Sequence, residues 1–194
     1  MLPCSSTFQL WRNEMTKYLT CAETAKLIRT ALKEAFPGVK FSVKSSVYSG
    51  GASININYEN GPTCSQVKSV VSVFEGSYFD GMTDYKGSNY TSLNGEEVRF
   101  GADFVFVTRK YTKAFLEGAV EAACKYYGYP VPAIVDSSFG AYVERTSNYD
   151  NEMRIMRKVE EFTLVEIKES KTAESVKFLG DDGYGYGAVG RLAA

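Results

Sequence analysis

Residues 41–58 read FSVKSSVYSGGASININY, and this stretch decides the fold of the chain. Apolar and polar side chains alternate on both sides of Ser49-Gly50-Gly51, a pattern typical of strands that expose one face. Because glycine adopts the backbone angles of a tight turn at little cost, the two strands are predicted to form a hairpin. The predicted polar face of this hairpin consists of Lys40, Ser42, Lys44, Ser46, Ser53, Asn55 and Asn57.

A helix is predicted on each side of the hairpin. Glu23 lies three residues after Thr20, and Gln66 lies three residues after Thr63. Each pair is a capping box, in which the two side chains bond the free backbone N–H groups at the start of a helix. Apolar residues at helical spacing follow both pairs, so we expect each helix to bury one side against the sheet.

The rest of the chain completes an α+β pattern. A strand at residues 102–107, apolar on both faces, is predicted to be central in the sheet, and another helix follows it. The order α-β-β-α-β-α indicates an antiparallel or mixed sheet with helices packed on it, which we assign to a core domain at residues 20–130. Residues 1–19 are predicted to form an N-terminal arm. Residues 131–194 are predicted to form a C-terminal α/β extension with a flexible Gly/Tyr-rich tail from Gly180.

The composition excludes some classes of protein. Hydrophobic residues make up 44% of the chain and the net charge is -1, from 22 basic and 23 acidic residues. These values are typical of a globular domain, and they argue against a strongly basic nucleic-acid wrapper and against an acidic mimic of DNA.

No metal or cofactor is predicted, since the chain has no histidine and its four cysteines form no C-x-x-C pair. The sequence also has no apolar run of membrane-spanning length and no secretory signal pattern. We therefore expect a protein of the reduced cytosol that has no membrane contact.

Several segments between residues 21 and 128 resemble a known family. They are AETAKLIR (22–29), FPGVKFSV (36–43), YSGGASI (48–54), GPT (61–63), FDGM (79–82) and FGADFVF (100–106). In order and spacing these segments are similar to the large polyvalent protein-associated domain number 29. The resemblance implies an origin in phages, plasmids or other mobile elements, where such domains sit in large proteins thought to protect incoming DNA from host defences. It implies no catalytic mechanism.

Three hypotheses for function remain open. The first is an anti-defence protein of a phage or plasmid, not an enzyme, which inhibits a host restriction, CRISPR or signalling protein by binding it. The alternative is a nucleic-acid-binding accessory protein that uses the polar hairpin face, whose lysines and polar groups suit phosphate oxygens. The third is an enzyme that acts on a nucleotide or nucleic acid with a carboxylate-based site. Its candidate residues Asp80, Asp84 and Asp103 lie near glycines, where an aspartate is far more often part of a turn than of a catalytic site.

Overall fold

The computed structural model describes residues 16–145, 148–163 and 165–186. The predicted N-terminal arm up to residue 15, and the predicted tail from residue 187 onward, lie outside these residues.

The described residues form ten strands and five helices, and the predicted α+β class is confirmed. In chain order the elements are β1 (Lys17–Leu19), α1 (Cys21–Ala35), β2 (Ser42–Tyr48), β3 (Gly51–Glu59), α2 (Cys64–Val71), β4 (Ser77–Asp80), β5 (Tyr85–Leu93), β6 (Glu96–Phe100), β7 (Phe104–Lys110), α3 (Lys113–Tyr127), β8 (Ile134–Val135), β9 (Tyr142–Val143), α4 (Tyr149–Glu161), α5 (Lys171–Glu174) and β10 (Val176–Asp181).

Two sheets organise the core, and both are mixed. The first has the order β2-β3-β7, in which β2 and β3 form the predicted antiparallel hairpin and β7 lies parallel to β3. The second has the order β1-β6-β5-β10, with β4 also paired to β5 and β1 parallel to β6. β7 is therefore an edge strand, whereas its apolar sequence predicted a central one. The apolar sequence suggested that both faces of β7 are buried, but Phe106, on the face opposite to buried Val105, is 52% exposed.

Both capping boxes form as predicted. The Thr20 N–H donates to Glu23 Oε2 at 2.8 Å, and the Thr63 N–H donates to Gln66 Oε1 at 2.9 Å. The helices that start there, α1 and α2, pack in one hydrophobic core with one face of the β2-β3-β7 sheet. Ile54 is among the fully buried residues of that face. The opposite face of this sheet is consequently left without a helix from α1 or α2.

A second hydrophobic cluster contains α3, α4 and the small β8–β9 ladder. Buried Arg109 ties it to the first sheet. Its Nε donates to Asn60 O at 2.6 Å, and its Nη2 donates to Gly61 O at 3.1 Å and to Phe162 O at 2.8 Å. The guanidinium also lies 5.1 Å from the ring centroids of Tyr111 and Phe115. One side chain thus links the end of α4 to β7.

The C-terminal extension returns to the core. β10 pairs with β5, and the Asp182 carboxylate accepts hydrogen bonds from Tyr78 OH and the Ser88 N–H, both at 2.7 Å. Gly180 therefore lies inside a strand, so the predicted flexible tail does not begin at this residue. The composition was misleading because the backbone partners of β10 lie on a strand some 90 residues earlier in the chain.

Arg109→Met should lower the free energy of unfolding by about 2–4 kcal/mol, because three carbonyl oxygens would lose their donor in a buried site. Urea denaturation followed by circular dichroism measures the change. Arg157→Met, at an exposed position of α4, is the matched control and should change stability little. Equal effects of the two substitutions would show that the hydrogen bonds of Arg109 do not stabilise the contact between β7 and the end of α4.

Candidate functional site

The side of the β2-β3-β7 sheet that α1 and α2 leave uncovered, which we call the open face, gathers most of the predicted polar residues. The strand register sets them in rows. Each row takes one residue from β2, one from β3 and one from β7, and the three rows are Ser42, Asn57 and Thr108; Lys44, Asn55 and Phe106; and Ser46, Ser53 and Phe104. The sequence prediction that these side chains share one face therefore agrees with the register.

Ser53 departs from its predicted role. It was expected to point outward as part of a binding surface, yet it is only 6% exposed. Its small side chain lies in register between Ser46 and the much larger Phe104. Ser53 is therefore part of the floor of the open face and offers little surface to a ligand.

Phe104 and Phe106 are the residues of this face that the sequence interpretation missed. Both project from β7 beside the polar residues of β3, with ring centroids 6.4 Å apart. Phe106 is 52% exposed, which is unusual for a phenylalanine. The alternation Phe104-Val105-Phe106 was the available signal, because it places the two rings on the side opposite to buried Val105.

A basic groove lies at one end of the open face. Its volume is about 860 Å³, and its charged lining residues are Lys40, Lys44 and Lys110 against Glu59. Among the described residues, no ion pair joins any of these lysines to a carboxylate. The groove therefore carries a net positive charge next to the polar rows of the sheet.

At the opposite end, a cleft of about 580 Å³ separates the hairpin tip from the second sheet, and we call it the junction cleft. Asp103 lies in its wall. The Asp103 carboxylate accepts from the Ala52 N–H at 3.0 Å and from Ser77 Oγ at 2.8 Å, and it pairs with Lys86 Nζ at 2.8 Å. Partial burial alone would raise the pKa of Asp103, but the bonds from Lys86, Ala52 and Ser77 outweigh it and lower that pKa. The carboxylate is thus held ionised, with its oxygens engaged.

The structure does not bring the three acidic candidates together. Asp80 and Asp84 lie at the turn between β4 and β5, away from the wall that holds Asp103. Asp80 accepts from the Met82 N–H at 2.9 Å and from Thr83 Oγ1 at 3.0 Å, and it is also bonded by the Tyr186 N–H. Asp84 is exposed and has a φ of 51°, a conformation common at tight turns. The bonds from Met82 and Thr83 to Asp80 are turn chemistry, and the Asp103 oxygens are engaged by Ala52, Ser77 and Lys86. We therefore propose no catalytic role for the three residues.

Possible metal ligands are scattered over the described residues. In that part of the chain, no three His, Cys, Asp or Glu side chains are grouped so as to hold a metal ion. Cys21 and Cys124 are buried free thiols, and Cys64 is half-buried.

None of the helices in residues 16–145, 148–163 and 165–186 is long and apolar enough to cross a membrane.

Residues 19–112 match the family model of the large polyvalent protein associated domain 29. We call this matched segment the polyvalent-protein domain. The resemblance is thereby confirmed, and the match associates the chain with polyvalent proteins of mobile elements. The whole open face falls within this polyvalent-protein domain, as does the lining of the junction cleft apart from Tyr18. No curated protein and no solved structure matches the chain significantly.

Asp103→Asn should destabilise the protein by roughly 1–3 kcal/mol at pH 7, because it removes the ion pair with Lys86 and weakens two hydrogen bonds. The lowered pKa sets the sign of the pH dependence. The stabilisation is present above the ordinary aspartate pKa of about 4 and is lost as the pH falls through the lower pKa of the folded state. The difference between wild type and Asp103→Asn in urea denaturation should therefore shrink at acid pH. A difference that does not change with pH would contradict stabilisation by the ionised Asp103 carboxylate.

Proposed function

We propose that the polyvalent-protein domain binds single-stranded nucleic acid along its open face, as an accessory protein of a mobile element. The observation that supports this proposal best is the pair of neighbouring rings, Phe104 and Phe106, on the open face. They lie beside lysines that pair with no carboxylate of the described residues. Sheets that bind single strands in other folds use the same combination of stacked aromatic side chains and basic or polar neighbours.

The phenylalanine rings favour unpaired bases. A base stacks on an exposed aromatic ring through its flat face, and this requires that the base has left its own stack. Two rings with centroids 6.4 Å apart offer platforms for two neighbouring bases. The bases of an intact duplex cannot stack on a flat sheet in this way, so the proposal is specific for single strands.

The polar rows suit the backbone of the same strand. Lys44 stands in the same row as Phe106, with Asn55 between them in register, so a cation and an amide accompany the ring. Lys40 and Lys110 extend the positive charge into the basic groove. At a rise of about 3.3 Å per residue, the open face is roughly 20 Å long, enough for a few nucleotides. The lysines neutralise phosphates and the amides bond phosphate or base atoms.

Phe106→Ala should weaken binding of a fluorescein-labelled oligothymidylate roughly 5- to 100-fold in fluorescence anisotropy, as expected for the loss of one stacking contact. The matched control is Phe139→Ala, since Phe139 is 82% exposed and lies outside the polyvalent-protein domain. Thermal unfolding of both variants checks that the fold is retained. If wild type fails to bind the oligonucleotide at low salt, or if both variants bind as wild type does, the proposal is wrong.

Lys40→Glu combined with Lys44→Glu should weaken binding and flatten its salt dependence. Each phosphate contact with a single strand contributes about 0.7 to the slope of log K against log salt concentration, so the slope should fall by about 1.4. Lys125→Glu combined with Lys177→Glu, at two exposed positions outside the open face, makes the same change in net charge. An equal loss of affinity in this control pair would show that only the total charge matters.

Inhibition of a host restriction, CRISPR or signalling protein is a second candidate function, and the family match is the observation that favours it. In this case the protein acts in the bacterial cytoplasm, and Phe106 is the proposed anchor, because exposed aromatic side chains commonly dominate the energy of protein interfaces. Expression of the protein in a bacterium with a defined defence system should restore phage plating, and Phe106→Ala should abolish this protection while Phe139→Ala should not. Unchanged plating across the restriction and CRISPR systems tested would reject this candidate.

A further inference from the structure

The junction cleft has aromatic walls contributed by both sheets. Tyr18 comes from β1 in the second sheet, and Tyr48 comes from β2 at the hairpin tip. They are 60% and 51% exposed, respectively, and both line the cleft. Two exposed aromatic rings from separate sheets therefore border one cavity of about 580 Å³, a size typical of small-molecule sites.

Glycines make room for these rings. A Cβ atom at Gly101 would lie 2.5 Å from the Tyr18 hydroxyl oxygen, and a Cβ at Gly51 would lie 3.3 Å from Tyr48 Cε2. Each ring is thus seated close against a glycine, where a larger residue would displace or crowd it. The Gly101 N–H also donates to Leu19 O at 2.7 Å, which holds the Tyr18 side of the cleft in place.

Within the described residues, the charges that line the cleft leave one cation, Arg99, without a carboxylate partner. Lys86 is neutralised by Asp103 and also donates to Gly50 O at 3.3 Å. Arg99, which stands in register with Tyr18, donates from Nη2 to the neutral hydroxyl of Ser88 at 3.1 Å. Its exposed guanidinium has five N–H donors in a planar fork, a geometry that matches phosphate oxygens.

We propose that the junction cleft binds a mononucleotide, with the base stacked against Tyr18 and Tyr48 and the phosphate bonded by Arg99. Flat aromatic walls and an exposed guanidinium together match a ligand that is planar at one end and anionic at the other. The ties through Asp103 hold Ala52, Ser77 and Lys86 in one arrangement, so the walls need little reorganisation on binding. Phe104 and Phe106 do not line the cleft, so this site is distinct from the stacking platform of the open face.

Isothermal titration calorimetry with adenosine and uridine 5′-monophosphates tests the proposal on the full chain. At least one monophosphate should bind, and the matching nucleoside and inorganic phosphate should each bind at least tenfold more weakly. Arg99→Gln should bring the affinity for the monophosphate down to that for the nucleoside, and Tyr48→Ala should weaken both. Arg157→Gln and Tyr126→Ala, exposed positions on α4 and α3, are the controls and should bind as wild type does.

Three results would overturn the cleft proposal. The first is that no monophosphate binds at millimolar concentration, and the second is that Arg99→Gln binds monophosphate as wild type does. The third is that Phe106→Ala abolishes mononucleotide binding, since the ligand would then lie on the open face. The third result would overturn the cleft site and leave the proposed binding of single strands intact. Conversely, a protein that binds mononucleotides but no oligonucleotide would support the cleft site and contradict the proposed function.

Discussion

The Asp103 carboxylate joins three parts of the chain that lie far apart in sequence, and the rest of the site depends on it. It bonds Ala52 at the hairpin tip, Ser77 at the start of β4 and Lys86 on β5. Because Asp103 directly precedes Phe104, these contacts also hold the start of the strand that presents the two phenylalanines. A Cβ atom at Gly51 would overlap the carboxylate, so the glycine of the turn is required by this tie as well as by the hairpin. One half-buried charge therefore sets both the junction cleft and the row of the open face that contains Phe104.

The open face exists because both covering helices pack on the same side of the sheet. β3 is central and alternates strictly, with Ile54 and Ile56 in the core and Asn55 and Asn57 on the other side. Burying those amides under a helix would leave polar groups without water or partners, which costs more than apolar contacts would return. The phenylalanines of β7 are the exception on that side. Phe106 remains 52% exposed although its ring lies beside that of Phe104, and a stacked ligand would cover the exposed part.

The features that could be predicted from the sequence are those whose partners are close along the chain. The Thr20–Glu23 and Thr63–Gln66 caps act over three residues, and the hairpin closes across Ser49-Gly50, so local chemistry determines each of them. The parallel pairing of β3 with β7 joins Ser53 to Phe104, some 50 residues away, and no local periodicity encodes it. The burial of Ser53, the edge position of β7 and the pairing of β10 all follow from such long-range contacts. The polar half of the open face was therefore predictable, whereas its aromatic half required the register.

A net charge of -1 excludes a protein that wraps nucleic acid by charge alone, but it does not conflict with a local binding face. Exposed charges are screened beyond roughly 8 Å at physiological salt, so a strand on the sheet responds to the lysines beside it and hardly to acidic residues elsewhere. The lysines Lys40, Lys44 and Lys110 are concentrated at one groove, where Glu59 is the single acidic residue of the lining that the structure describes. Such a face lacks the long-range field that steers ligands from a distance, so stacking has to supply much of the affinity. That division suits recognition of unpaired bases, because duplex DNA offers the same phosphates but hides the base faces on which stacking depends.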